Sequence, residues 1–327
     1  MTPVLTRRAT FGVFAASALE LGCGHKEDVI VKTGADAKLT DAGIDKDPVP
    51  LLPGNAIGVL SIDAPALFNS RFGDQVRAVV EKRLPLPASA GFEPKRDLDH
   101  VWLGFYSMQG ADMAGVAVGR FDPQKIEAAA DGTQPTPLGV PVVKTSYAGR
   151  TLYTAGTVGF SVLTQKTALI GNDTGMRRAL DRIEEGRARR ELPAYMDKLL
   201  AASKAPVIGG FDFTSSPLPD ATRQELPFLN GINTLSVVGN FDDPGLNLAG
   251  TLTYDDADAA QRGAQNLVSM RQLVERYAPF LALLGIRNPV QRLEAEPKDK
   301  DVSFVAAIDG AAVAALLDKA QAMLVRH

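Results

Sequence analysis

The sequence predicts an α+β protein built as two similar consecutive halves, each mainly antiparallel sheet with helices packed on one face. Three observations carry that prediction. Compact apolar runs, Asn55–Asp63 and Pro206–Phe213, open two stretches of comparable length, and each ends near an Asp and a Pro. Each run is followed by a pair of strand-like segments joined by a turn. An Asp-opened helix comes next in both stretches, then further strands and a closing helix.

In the first half the strand pair is Leu98–Ser107 and Asp112–Arg120. Its counterpart is Ile232–Phe241 and Leu246–Tyr254, joined by Asp242-Asp243-Pro244-Gly245. In that turn the proline presets one dihedral and the glycine is expected to take a positive one. Helices are predicted over Pro123–Ala130, opened by Asp122, and over Ala257–Leu284, opened by Asp255 or Asp256, because an Asp side chain satisfies free amides at a helix start. Further strands are expected at Val140–Ser146, Thr151–Ala155, Gly159–Leu163, Ala168–Gly171, Gln291–Glu296 and Val302–Ile308. The closing helices are Thr174–Glu185, after Asn172-Asp173, and Ala311–Val325, after Asp309-Gly310. Residues 54–186 and 205–327 are thus the two repeats, and 187–204 is a connecting segment with a short helix at Pro193–Ala202.

The composition is that of an ordinary globular chain: 327 residues, 45% hydrophobic, 22% charged and a net charge of -3. A mildly acidic, mixed-charge surface lacks the electrostatic footprint of a nucleic-acid binder and the polybasic stretch of a membrane-surface binder. A single cysteine excludes an intramolecular disulfide framework and any multi-cysteine metal cluster.

The first twenty-two residues read as a signal peptide. Arg7 and Arg8 form a positive n-region, and the apolar stretch Ala9–Leu19 is too short to span a bilayer. Thr6-Arg7-Arg8-Ala9-Thr10-Phe11 resembles a twin-arginine export motif with its aromatic one place late, while two arginines also suffice for general secretion. Leu21-Gly22-Cys23 resembles the end of a bacterial lipobox, with Glu20 standing where that pattern normally has Leu. The resemblance implies a lipoprotein precursor carrying diacylglycerol and palmitate on Cys23. The alternative is cleavage after Ala18, leaving a plain thiol. Gly24 after Cys23, in place of the Asp of inner-membrane retention, leans toward the outer membrane by the same resemblance. Residues 23–53 then read as a lipid-anchored polar tether, whose Asp41, Asp45 and Asp47 are better solvated linker than calcium ligands.

Chemistry is harder to find. His25, His100 and His327 share no helix face, which argues against a zinc site. His100, between Asp99 and Trp102, is the one histidine placed to act as a base, although a lone strand histidine is more often structural. Ser161 lacks the second glycine of a nucleophile elbow, and Gly115-Val-Ala-Val-Gly119 is better a close-packed strand than a phosphate loop. Asp63 and Asp212 are the carboxylate pair that a glycoside-type hydrolase would need, but their shared position in both halves argues for turns or caps. Asp255, Asp256 and Asp258 lie at a helix start, where acids are expected, and Arg187, Arg189 and Arg190 read as a solvated helix end. No catalytic, metal or cofactor residue is therefore nominated; Cys23, Arg7 and Arg8 are the functional residues.

The Tyr147-Ala-Gly-Arg150 turn, followed by a strand and a closing helix, resembles a broad class of uncharacterised exported bacterial proteins with duplicated bodies. That class carries no agreed activity. The expectation is a lipid-anchored envelope protein, a non-catalytic binding or assembly module whose partners are the membrane and an envelope protein or lipid. The alternatives are a hydrolase of an envelope polymer and a lipid carrier with an apolar groove along Tyr277–Ile286, under the long helix.

Overall fold

A computed structural model describes residues 39–107, 112–283 (backbone alone from 273), 289–315 and 317. The two runs expected to open the halves are β1 (Gly58–Asp63) and β8 (Val207–Asp212), and they pair directly, antiparallel, with Leu60 opposite Gly209. The first half continues with β2 (Leu98–Phe105), β3 (Met113–Gly119), β4 (Val143–Tyr147), β5 (Arg150–Ala155), β6 (Val158–Val162) and β7 (Thr167–Gly171). The second adds β9 (Ile232–Asn240), β10 (Gly245–Tyr254), β11 (Val290–Lys298) and β12 (Asp301–Asp309). Among the described residues these twelve strands make one sheet, in the order β11-β12-β10-β9-β8-β1-β2-β3-β7-β6-β5-β4, antiparallel at every pairing.

From the central β1–β8 pair outward the halves follow the same course. β1-β2-β3 is a meander, then a crossover brings β7 back beside β3 and β6 beside β7. β8-β9-β10 is the matching meander, with β12 beside β10 and β11 beside β12. The hairpin β4–β5 is the addition, since nothing among the described residues of the second half corresponds to it. The expected halves therefore meet as neighbouring parts of one sheet.

Nine helices of the described chain carry labels here: α1 (Asp41–Lys46), α2 (Ala64–Phe68), α3 (Gly73–Glu81), α4 (Pro94–Asp97), α5 (Pro123–Ala129), α6 (Asp173–Glu184), α7 (Ala194–Ala202), α8 (Asp220–Glu225) and α9 (Ala257–Leu283). A further helix starts at Gly310, where the Ala311 amide donates to Asp309 Oδ1 at 3.0 Å. The sequence signals for helix starts act as caps. Asp122 Oδ1 accepts from the Lys125 amide (3.1 Å), Asn172 Oδ1 from Gly175 (3.0 Å) and Asp256 Oδ1 from Ala259 (2.7 Å).

Helices flank the sheet on both faces, where a single helical face was expected. The cause is visible in β3, whose consecutive residues Val116 and Ala117 point opposite ways and are both buried. Val116 joins a cluster with Met176, Ala179 and Leu180 of α6 and Met196 of α7. Ala117 joins Ile126 and Ala129 of α5 on the other side. That second face also carries α2 and α3 with the start of the C-terminal helix (Phe68, Val76, Val313), and α9 with the 227–229 turn (Ala260, Leu267, Leu229).

The polar tether expected over 23–53 is corrected for its last part. Residues 39–53 fold onto the body: Ile44 of α1 and Leu51 are 0% exposed, Leu52 is buried beside them, and all three belong to the α6–α7 cluster. Asp45, expected in solvated linker, accepts hydrogen bonds from the hydroxyls of Thr164 (2.5 Å) and Thr167 (2.8 Å) at the β6–β7 turn. Residues 23–38 lie outside the described chain.

Two turns refine the reading. Ala148 and Gly149 both take left-handed dihedrals (φ 49° and 68°), as a two-residue hairpin turn requires. In the β9–β10 turn the Asp243–Pro244 bond is cis, and Gly245 does not take a positive φ. Glycine is needed there for space, because a Cβ would lie 2.4 Å from the Gly310 amide nitrogen.

Candidate functional site

The residues nominated for chemistry are taken up in local structure. Asp63 and Asp212 lie at opposite ends of the paired strands: the Asp63 amide bonds to Pro206 O and the Asp212 amide to Ile57 O. Six residue steps separate those levels, about 20 Å at 3.3 Å per residue. Asp63 Oδ1 caps α2 through the Ala66 amide (2.7 Å), and Asp212 Oδ1 holds a turn through the Thr214 amide and hydroxyl (2.9 and 2.5 Å). They form no dyad, so the carboxylate pair on which the hydrolase alternative rested is overturned.

Ser161 is fully buried, its hydroxyl donating to Thr151 O at 2.8 Å. Gly115 and Gly119 are packing glycines, since a Cβ at Gly119 would lie 1.9 Å from Asp97 O. Arg187 pairs with Glu185, and Arg190 with Asp197 at 3.4 Å. Among the described residues no cluster of three His, Cys, Asp or Glu is arranged to hold a metal ion. Cys23, Arg7, Arg8, His25, His327 and the side chains of Tyr277–Ile286 lie outside what is described.

His100 is the third residue of β2, a strand near the middle of the sheet. Its Nε2 shares a hydrogen bond with Ser61 Oγ (2.7 Å), and its ring lies 4.0 Å from that of Trp102. Burial holds its pKa below the ordinary histidine value, and Asp63, its cross-strand neighbour, opposes that shift. Ser61 is only 3% exposed, closed to a substrate, so the pair is a satisfied polar contact in a packed layer. Sequence reasoning missed Ser61, whose one signal is its alternation with Val59.

It also missed an ionic cluster at the top of α6. Arg178 donates to both oxygens of Asp112 (2.7 and 2.8 Å) and lies 4.4 Å over the Tyr106 ring. Buried Arg182 donates to Glu191 Oε2 (2.7 Å) and Arg189 O (2.9 Å). Tyr106 donates to Pro53 O (2.9 Å), and burial raises its phenol pKa. The Arg178 and Arg182 bonds tie α6 to the β2–β3 loop and to the connecting segment, and the Tyr106 bond ties that loop to residue 53, so the cluster is a brace.

The remaining feature is a rung of side chains that crosses the sheet on the α5–α9 face. Directly opposed residues of an antiparallel pair share a face. The pairings Val237–Gly209, Gly209–Leu60, Leu60–Leu103, Leu103–Gly115 and Gly115–Ile170 therefore place one line of apolar groups and glycines across the central β1–β8 pair. Beyond it the line continues to Phe304 on one side and to Phe160 and Tyr153 on the other.

The glycines let large neighbours lie flat. A Cβ on Gly115 would meet Leu103 Cδ2 at 2.6 Å and Ile170 Cγ1 at 2.9 Å, and one on Gly209 would meet Val237 at 3.1 Å and Leu60 at 3.4 Å. Two residues along the strands, on the same face, Phe211 lies across Gly58, and its ring centroid is 5.4 Å from that of Phe105. Phe160 and Tyr153 are buried with α5, and Phe304 packs against the α9 cluster. Leu60, Leu103 and Val237 are half-buried and belong to none of the four buried clusters among the described residues. The result is an apolar strip, uncharged along its length, between two helical walls.

No family model matches the chain, and no curated protein matches it. Solved structures do share its fold. Crystal form I of TP0453, a Treponema protein, superposes with a TM-score of 0.51 at 11% identity, over 84% of this chain and 97% of that one. Crystal form IV gives 0.51 and 11%, over 83% and 96%. At that identity the likeness is one of fold, and it agrees with the α+β class read from the sequence.

Proposed function

We propose that this chain is a lipid-anchored protein of the cell envelope, leaning to the outer membrane, whose body is a non-catalytic binding or assembly module. The observation that supports this best is the strip Val237–Gly209–Leu60–Leu103–Gly115, half-buried apolar surface at the junction of the two similar halves. Apolar surface of this kind, flanked by packed walls, is what a binding groove offers. The anchor rests on Arg7, Arg8 and the solitary Cys23, followed by a polar stretch. Among the described residues no helix is long and apolar enough to cross a membrane.

A photo-reactive amino acid at Leu103, introduced in intact cells, tests the docking surface. The expected result is a discrete adduct to an envelope protein that is absent when the probe stands at exposed Asp47. Equal labelling at both positions, or none, overturns it. An adduct to lipid would transfer the strip to the lipid-carrier reading. Mass spectrometry of the mature N-terminus tests the anchor separately, with a lipidated Cys23 expected and an unmodified thiol refuting it.

A further inference from the structure

We propose that a second copy of this chain docks along the outer edge of β4, joining two sheets into one across a two-fold axis. Among the described residues β4 ends the sheet, and Val143, Lys144, Thr145 and Ser146 are exposed on both of its faces. Val143 is 55% exposed and Val140 37%, two of the three exposed large hydrophobic residues among those described. An edge of this kind presents unpaired backbone groups to any strand of matching register.

The opposite edge of the same sheet is guarded. β11 carries Pro297, the Arg292–Glu294 pair (2.7 Å), Glu296 and Lys298 along its length. β4 has no proline, and its one charge is engaged at home: Lys144 Nζ donates to Glu127 O at 2.7 Å and lies 3.7 Å from Glu127 Oε1. The unguarded edge also belongs to the hairpin that has no counterpart among the described residues of the second half.

Geometry selects one register with another β4. In a two-residue hairpin the flanking pair, Tyr147–Arg150, is hydrogen-bonded, so the amides and carbonyls of Ser146 and Lys144 point outward. Only registers that oppose outward residues form bonds. Centring the axis on Lys144 sets two ammonium groups face to face. Centring it on Ser146 runs the pairing into the turn at Ala148. An axis at Thr145 opposes Lys144 to Ser146 twice, each pair exchanging two backbone bonds, and lays Val143 of one copy beside Tyr147 of the other. The two Thr145 residues then face each other as a close, non-hydrogen-bonded pair. So short an edge makes a weak, concentration-dependent dimer, in the low-area class of interfaces.

The test is a Thr145→Cys variant of the full chain carrying Cys23→Ser, so that a single thiol is present. Non-hydrogen-bonded antiparallel positions bring Cα atoms to about 4.5 Å, within disulfide range. Mild oxidation is expected to yield a covalent dimer through residue 145, far in excess of that from Thr151→Cys on neighbouring β5. Adding Ser146→Pro, which removes only an outward donor, is expected to cut the yield about tenfold or more with an unchanged circular dichroism spectrum. Where that variant does not fold, Val143→Asp, at an exposed side chain, is expected to have the same effect. Equal cross-linking from positions 145 and 151, or a yield indifferent to both edge substitutions, overturns the proposal.

Discussion

Replacing Ile44 by alanine asks whether the residues ahead of β1 belong to the folded body. Ile44 is 0% exposed and lies among Leu51, Leu52, Met176 and Leu180 in a cluster shared with α6. Truncating a fully buried isoleucine removes its transfer free energy and leaves a cavity, about 2–5 kcal/mol together. Against a total of about 5–15 kcal/mol, that is a large fraction of what holds the protein folded. The only tryptophan, Trp102, packs against the same cluster, so its fluorescence reports unfolding at the altered place. With a urea slope of about 2–3 kcal/mol/M, the midpoint should fall by about 1 M at unchanged slope. Exposed Asp47→Ala, three residues on, should stay within about 0.5 kcal/mol of the parent. If Ile44→Ala unfolds at the same urea concentration as that control, residues 39–53 are a tether after all.

Two more outcomes follow from the packing. Because burial depresses the His100 pKa, its contribution is complete above the unfolded value of about 6.5 and is lost as the pH falls from there to the folded value. Stability should therefore drop between pH 7 and 5.5, by no more than about 1.4 kcal/mol per pH unit from this one proton; His100→Gln should flatten that part of the curve, and parallel curves for the two proteins would refute the assignment. Gly119→Ala places a methyl against the Asp97 carbonyl, an immovable backbone atom in a 1.9 Å clash, and should cost about 1–3 kcal/mol by thermal melting; an unchanged melting temperature would contradict the close approach of β3 to residue 97.

Much of the strand pattern was legible because its signals are local. Runs such as Ile232–Asn240 alternate or concentrate branched apolar residues, and Asp122, Asn172 and Asp256 cap the helices they precede. What was not legible depended on partners far away in the chain. β1 and β8 pair across about one hundred and fifty residues, and no periodicity within either run records that the two halves share a sheet. Residues Asp41–Lys46 carry one large apolar side chain, Ile44, among acids and glycine, so composition pointed to linker while α6 supplied the burial. Leu60 and Leu103 read as ordinary strand residues; their half-buried state arises because the helices of the two halves wall off either end of the rung. His100 and Ser61 come together only through the β1–β2 register.

The docking of Ile44, Asp45 and Leu51 onto the body also shortens the leash. If Cys23 carries the proposed anchor, sixteen peptide steps link it to the packed Leu39, a contour of no more than about 55 Å. Under that proposal the body would stay within that reach of the lipid, and copies in one membrane would meet at far higher effective concentration than in free solution. An edge such as β4, too short to hold two molecules together in dilute buffer, is suited to partners already confined in this way.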